Sequence, residues 1–130
     1  MNAPHLFPIR VYYEDTDMAG IVYYANYLRY IERARSDWVR ELGIDQNAMK
    51  ADGIVFAVRR VEADYIAPAR FDDELNVQTH VLSAGPARLV LAQNISRDGA
   101  AIFAAKVTIV CMSTDGKPAR LPAKLRLMDK

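Results

Sequence analysis

Three carboxylates, Glu14, Asp15 and Asp17, crowd into the stretch YEDTDMAGIVYYANY (residues 13–27), just ahead of a lone glycine and an apolar, tyrosine-rich run. Acids in that place have two uses. They can cap the helix that the apolar run begins, by accepting its unpaired first-turn N–H groups. They can also do chemistry: a carboxylate beside a carbonyl can attack it, or activate a water to do so. The second use needs the carbonyl polarised, and free N–H groups near residues 21–25 at the positive end of a helix dipole could supply that. Gly20 lets backbone approach a ligand closely. Gly20, Ile21, Val22 and Tyr23 are therefore the candidate substrate- or oxyanion-contacting positions. Spacing alone leaves capping and catalysis both open. Tyr13 and Asp15 need not share the surroundings of Asp17 once the strand runs into a turn.

Other chemistries find little support. The two histidines, His5 in a start expected to fray and His80 on a polar strand position, have no metal-spaced companion, so no metal site is expected. Serines and Cys111 have no histidine nearby in sequence to activate them. Gly20 stands alone and "GPAR" (85–88) is not a phosphate-binding loop. Cys111, the single cysteine, allows no internal disulfide and in the run VTIVCM reads as a small buried hydrophobe. A hydrolase built on this chain would work through a carboxylate.

The elements that must hold these residues follow from periodicity. Residues 7–14, FPIRVYYE, read as a first strand. From Tyr24 to Leu42 the period becomes helical, with Tyr27, Leu28, Ile31, Ala34, Trp38 and Leu42 on one side and Gly43 as the stop. Trp38, Met49 and the helix tyrosines are expected in the core. A short helical stretch over 45–52 leads into a β-rich half. Ile54 to Ile66 is long for one strand, and its apolar parity flips from Phe56 and Val58 to Val61, Ala63 and Tyr65, which predicts a bulge near Arg59 and Arg60. Alternation then marks strands through Leu75–Val81, Leu89–Ile95 and Phe103–Cys111, with turns at SAGP (83–86) and Asp98-Gly99. The order β-α-β-β-β-β implies an α+β fold, one long helix packed on a roughly five-stranded antiparallel sheet.

A length of 130 residues suits a single domain spanning 1–130 with a real core. A net charge of +1 with no run of like charge gives no reason to expect nucleic acid as a partner. With no charged-then-apolar leader and no apolar run long enough to span a bilayer, a soluble cytoplasmic protein is expected.

The segment RVYYEDTDMAGIVYYANYLRYIERAR (10–35) resembles the signature of the hotdog-fold acyl-CoA thioesterases, above all the Tol–Pal-associated family and its relative 4-hydroxybenzoyl-CoA thioesterase. FAVRRVEADYIAPARFDDELNVQT (56–79) resembles the following segment of the same family, so the likeness spans nearly the whole chain. It implies hydrolysis of an acyl-CoA thioester to free acid and CoA, with Asp17 as general base or nucleophile, Tyr13 near the site, and the helix from Tyr24 supplying N–H groups to the carbonyl. No cofactor is implied. Where Tol–Pal-associated relatives usually carry histidine in VYH, this chain has Tyr24, and the 4-hydroxybenzoyl-CoA enzymes look similar to this chain at that place. Tyr24 can hydrogen-bond or shape the acyl pocket but serves less readily as a proton shuttle near neutral pH. CoA brings phosphates, and twelve of the seventeen basic residues are arginine, the better bidentate donor. Arg59, Arg60, Arg70 and Arg88 are the candidates. Hotdog proteins pair, so a homodimer or dimer of dimers with sites between subunits is implied, and acyl-carrier protein is an alternative carrier. The Tyr24 substitution also sustains a reading of another class, a non-catalytic acyl-carrier or CoA-binding module, or an adaptor for envelope machinery.

Overall fold

The computed structural model describes residues 3–128. In chain order it contains β1 (His5–Arg10), a 3-10 turn (Tyr13–Asp15), α1 (Tyr24–Glu41), α2 (Gln46–Ala51), β2 (Ile54–Tyr65), β3 (Glu74–Ala84), β4 (Arg88–Arg97), β5 (Ala100–Ser113), β6 (Pro118–Ala119) and α3 (Ala123–Arg126). The strands form one antiparallel sheet in the order β1-β3-β4-β5-β2, with β6 adding two residues to β5. This is the α+β arrangement of one long helix on about five strands.

Helix α1 buries Tyr27, Tyr30, Ile31, Ala34, Trp38 and Val39. Those positions advance by three, four and seven residues, so they form one stripe down the cylinder. Leu28, expected on that stripe, is 37% exposed because its bearing falls between the core and solvent. The sheet answers with alternate residues, as period-2 pleating requires: Leu89, Leu91 and Ile95 on β4, and Phe103, Ala105, Val107, Ile109 and Cys111 on β5. The parity flip in β2 is a bulge, with the register against β5 shifting between Val58 and Arg60. The Asp98-Gly99 hairpin turn has positive φ at both residues, 53° and 81°, which Asp-Gly tolerates.

Two expectations need correction. The first strand ends at Arg10 rather than Glu14. Val11 makes the last contacts with the β3 side, donating to the Asp73 carbonyl at 2.9 Å and accepting from Asp72 N–H at 2.9 Å, and the chain then turns away. His5 does not sit in a frayed start. It pairs with Thr79 in the sheet, is 8% exposed, and its Nε2 lies 2.8 Å from Asp37 Oδ2 on α1. Glu41 completes a group of three within 4.8 Å, a cluster that sequence separation concealed.

Strands β1 and β2 are the two edges of the sheet. On the β2 side Val58, Val61 and Tyr65 remain exposed. Among the described residues no helix is long and apolar enough to cross a membrane.

Candidate active site

The carboxylate stretch is a compact loop tied to the start of α1. Asp15 folds the chain back by accepting Tyr12 N–H at Oδ2, 2.8 Å away, while its backbone carbonyl accepts from Tyr23 N–H and from Asn26 Nδ2, each at 2.9 Å. Thr16 and Val22 form an antiparallel bridge, so Asp17 N–H donates to the Ile21 carbonyl at 2.9 Å. Between them the turn closes with Gly20 N–H on the Asp17 carbonyl, also 2.9 Å, and Gly20 adopts φ +81°, a left-handed conformation that glycine enters without strain. Buried Asn26 therefore pins the loop to the helix that it precedes.

Neither acid caps α1. Tyr23 occupies the N-cap with no side-chain bond to the helix. Asp15 is buried and committed to Tyr12, whereas Asp17 is exposed, with Oδ1 accepting Ala19 N–H at 2.9 Å. The two acids thus occupy different environments, and only Asp17 presents its carboxylate outward.

The N–H groups of Gly20, Val22 and Tyr23 are already engaged, which narrows the donors expected free over residues 21–25. Gly20 N–H binds the Asp17 carbonyl, Val22 N–H the Ala69 carbonyl at 2.8 Å, and Tyr23 N–H the Asp15 carbonyl. Ile21 N–H has no such acceptor among the described residues. The unpaired donors of the first helical turn belong to Tyr24 and Ala25, because Asn26 N–H already reaches the Tyr23 carbonyl at 2.8 Å. A helix start without a capping side chain leaves just such groups open, at the positive end of the dipole.

Aromatic rings wall this helix end. Tyr65, at the last position of β2, donates its hydroxyl to the Tyr24 carbonyl at 3.0 Å, and its ring lies 6.2 Å from Tyr24, 5.4 Å from Tyr27 and 5.0 Å from Phe103. Tyr27 stacks on Phe103 at 5.2 Å and accepts Ala69 N–H at 3.0 Å. Burial pushes the Tyr27 phenol above its ordinary pKa, and the Asp17 charge adds a little in the same direction. Burial raises Tyr65 as well. Tyr24 is 61% exposed and Tyr13, on the 3-10 turn, 81% exposed, so neither belongs to the core. Tyr65 escaped the sequence reading because its partner is 41 residues away. Its place at the end of a strand beside a proline-terminated loop was the available signal.

The four arginines do not converge. Arg70 bridges to Ile21 and borders the motif loop. Arg59 and Arg60 sit at the β2 bulge, where Arg60 lies 3.7 Å from Glu62, and Arg88 pairs with Val110 at the start of β4. Within one subunit these three are removed from Asp17, because sheet register separates the Tyr65 end of β2 from the bulge by five residues at about 3.3 Å each.

A second concavity lies towards the other end of α1. It encloses about 230 Å³ between the helix and the sheet, with Trp38, Phe56, Val58, Leu89 and Ile109 among its apolar walls and Arg35 at its polar side. Trp38 is fourteen residues beyond Tyr24, about 21 Å along the helix axis.

Residues 11–127 match the thioesterase-like superfamily. The acyl-CoA thioester hydrolase YbgC of Escherichia coli O6:H1 is 40% identical over 121 residues, which cover 92% of this chain and 90% of that protein. The structure of a probable thioesterase from Bartonella henselae superposes with a TM-score of 0.85 at 37% identity, covering 93% of this chain and 100% of that one. A 4-hydroxybenzoyl CoA thioesterase in complex with 4-hydroxybenzoyl CoA shares the fold, with a TM-score of 0.87 at 22% identity over 95% of this chain and 96% of that one.

Proposed function

The chain belongs to the thioesterase-like superfamily, and on that premise we propose that it hydrolyses an acyl-CoA thioester to free acid and CoA, with Asp17 as general base or nucleophile. The observation that carries the role of Asp17 is its outward carboxylate on a loop pinned to an uncapped helix start. The thioester carbonyl sits at the N–H groups of Tyr24 and Ala25, which stabilise the negative charge that develops on its oxygen. Asp17 takes the proton of an attacking water, or attacks the carbonyl itself before water releases the acid. In either route the C–S bond breaks, CoA leaves as the thiol, and one water is consumed.

Edge strand β2 makes the site a property of a pair. Antiparallel self-pairing about the middle of β2 sets Ile54 opposite Tyr65 and Val58 opposite Val61, and covers an exposed edge that would otherwise invite unwanted pairing. The Tyr24–Tyr65 corner of one subunit then adjoins the Phe56–Val58 cavity wall of the other, so thioester carbonyl and acyl group are held by different copies. Arg70 borders the loop that carries Asp17, where a CoA phosphate can use it, while Arg59 and Arg60 of the two copies meet across the axis. Acyl-carrier protein is the alternative carrier, and a setting beside the Tol–Pal envelope machinery is supported by the family resemblance.

Asp17→Asn tests the reading. Asparagine keeps the oxygen that accepts Ala19 N–H, so the loop persists, while proton transfer is lost. Thiol release from acyl-CoA should fall about 100- to 10,000-fold in kcat/KM with the melting temperature unchanged. Turnover within threefold of wild type removes Asp17 from the mechanism.

A further inference from the structure

Arg29, Arg33 and Arg40 of α1 are exposed, whereas Arg35 is half-buried beside the 230 Å³ cavity. Its Nη1 donates to Gln93 Oε1 at 2.7 Å. Gln93 is completely buried and cannot swing, because its Nε2 donates to the Ile31 carbonyl and to Thr79 Oγ1, each at 2.9 Å. The guanidinium is therefore held in one orientation by a fixed amide. A guanidinium has five N–H donors, and among the described residues one of them is bonded. Arg35 makes no ion pair among the described residues. The Glu32 carboxylate, which lines the same cavity, is instead held by Ser36 Oγ at 2.7 Å. Burial lowers the Arg35 pKa from its ordinary value, and Glu32 pulls only partly the other way.

A cavity of this kind is matched to one class of occupant. An apolar cavity of about 150 Å³ holds benzene, so 230 Å³ holds a ring or a chain of about six carbons with a polar end. A plain alkyl chain filling it would strip water from the spare guanidinium donors and return nothing. A chain ending in an acceptor oxygen would keep the apolar contacts and answer those donors with a charge-assisted bond.

We propose that this cavity is the acyl subsite and that Arg35, preset by Gln93, selects acyl groups whose far end carries an acceptor oxygen, a carboxylate above all. The proposal rests on the acyl-CoA hydrolase reading and on the β2 pairing that brings the cavity to the partner's Asp17. Trp38, the only tryptophan, lines the cavity and reports its occupancy by fluorescence without any turnover.

Adipyl-CoA and hexanoyl-CoA differ only in a terminal carboxylate against a terminal methyl, and make the test. Wild type should favour adipyl-CoA in kcat/KM by about ten- to a hundredfold, the worth of a hydrogen bond to a charged group. Arg35→Met should bring that ratio to about two or below. A wild-type preference for hexanoyl-CoA, or a ratio that Arg35→Met leaves intact, overturns the proposal. If Arg35→Met fails to fold, the wild-type ratio alone decides. If wild type hydrolyses neither, the hydrolase reading fails separately, and the Trp38 titration still decides: adipyl-CoA binding at least tenfold tighter than hexanoyl-CoA upholds the Arg35 subsite, and equal binding refutes it.

Discussion

Tyr27→Phe deletes one oxygen from the support of the candidate site and leaves its packing in place. The ring would still stack on Phe103 at 5.2 Å and meet Tyr65 at 5.4 Å and Tyr30 at 6.1 Å. What is lost is the acceptor for Ala69 N–H, and Ala69 is wholly buried, so no water replaces it. An orphaned buried donor costs about 1–3 kcal/mol. With an unfolding entropy of about 2.1 cal/mol/K for each of 130 residues, a kilocalorie shifts the melting temperature by about 4 °C, so the expected fall is about 4–11 °C. Circular dichroism melts at neutral pH measure it. The alkaline limb supplies an independent sign. Burial raises the folded Tyr27 pKa, so its contribution is fully present below the unfolded value of about 10 and is lost as pH rises through the folded one. Phenylalanine has no proton to lose, so the variant should destabilise less steeply above pH 10 than wild type does. A melting temperature within 1 °C of wild type, with an unchanged alkaline slope, refutes the bond between Tyr27 and Ala69 and the idea that it braces the motif.

Two further outcomes follow from neighbouring features. Tyr65→Phe keeps the ring cluster but frees the Tyr24 carbonyl, and should lower kcat about two- to tenfold with KM nearly constant, the worth of one neutral hydrogen bond; an altered KM with constant kcat would assign Tyr65 to substrate packing instead. Burial pushes the Cys111 thiol up to about 11, so an aromatic disulfide reagent at pH 8 should leave the native protein unlabelled for hours and label it at once in denaturant.

The long helix was legible because its amphipathic stripe repeats through five turns, and the β2 bulge because a change of apolar parity has no other simple cause in a strand. The first strand was overread for a physical reason. Val11, Tyr12 and Tyr13 have strand composition, but composition does not reveal that the Asp15 carboxylate captures Tyr12 N–H and turns the chain. The motif marks one loop and the expected span of N–H donors over residues 21–25, but which of those donors stay free depends on Ala69 and Asp15 carbonyls that only the fold delivers. Tyr65, Gln93 and the His5–Asp37 pair were hidden for the same reason: each acts across more than thirty residues. Segments β6 and α3 are two and four residues long, too short to carry a period.

The distribution of polarity over the fold supports the proposed pairing of two copies through β2. Chemistry at a thioester carbonyl gains most from fixed dipoles where water is excluded, yet Asp17 and Tyr24 stand in solvent in one subunit. The same subunit keeps a partly open apolar cavity further along α1, with its preset cation Arg35 about 17 Å and Trp38 about 21 Å beyond Tyr24 along the helix axis. Both features meet the same strand, Tyr65 at one end of β2 and Phe56 to Val58 near the other, and that strand is an unpaired edge. The two-fold axis proposed through the middle of β2 would answer all three facts at once. It would pair the edge, dry the carboxylate, and set the cavity of each copy beside the loop of the other. The bulge at Arg59 falls where that proposed axis would pass, so the residue that breaks the β5 ladder would also be the one to face the partner across it.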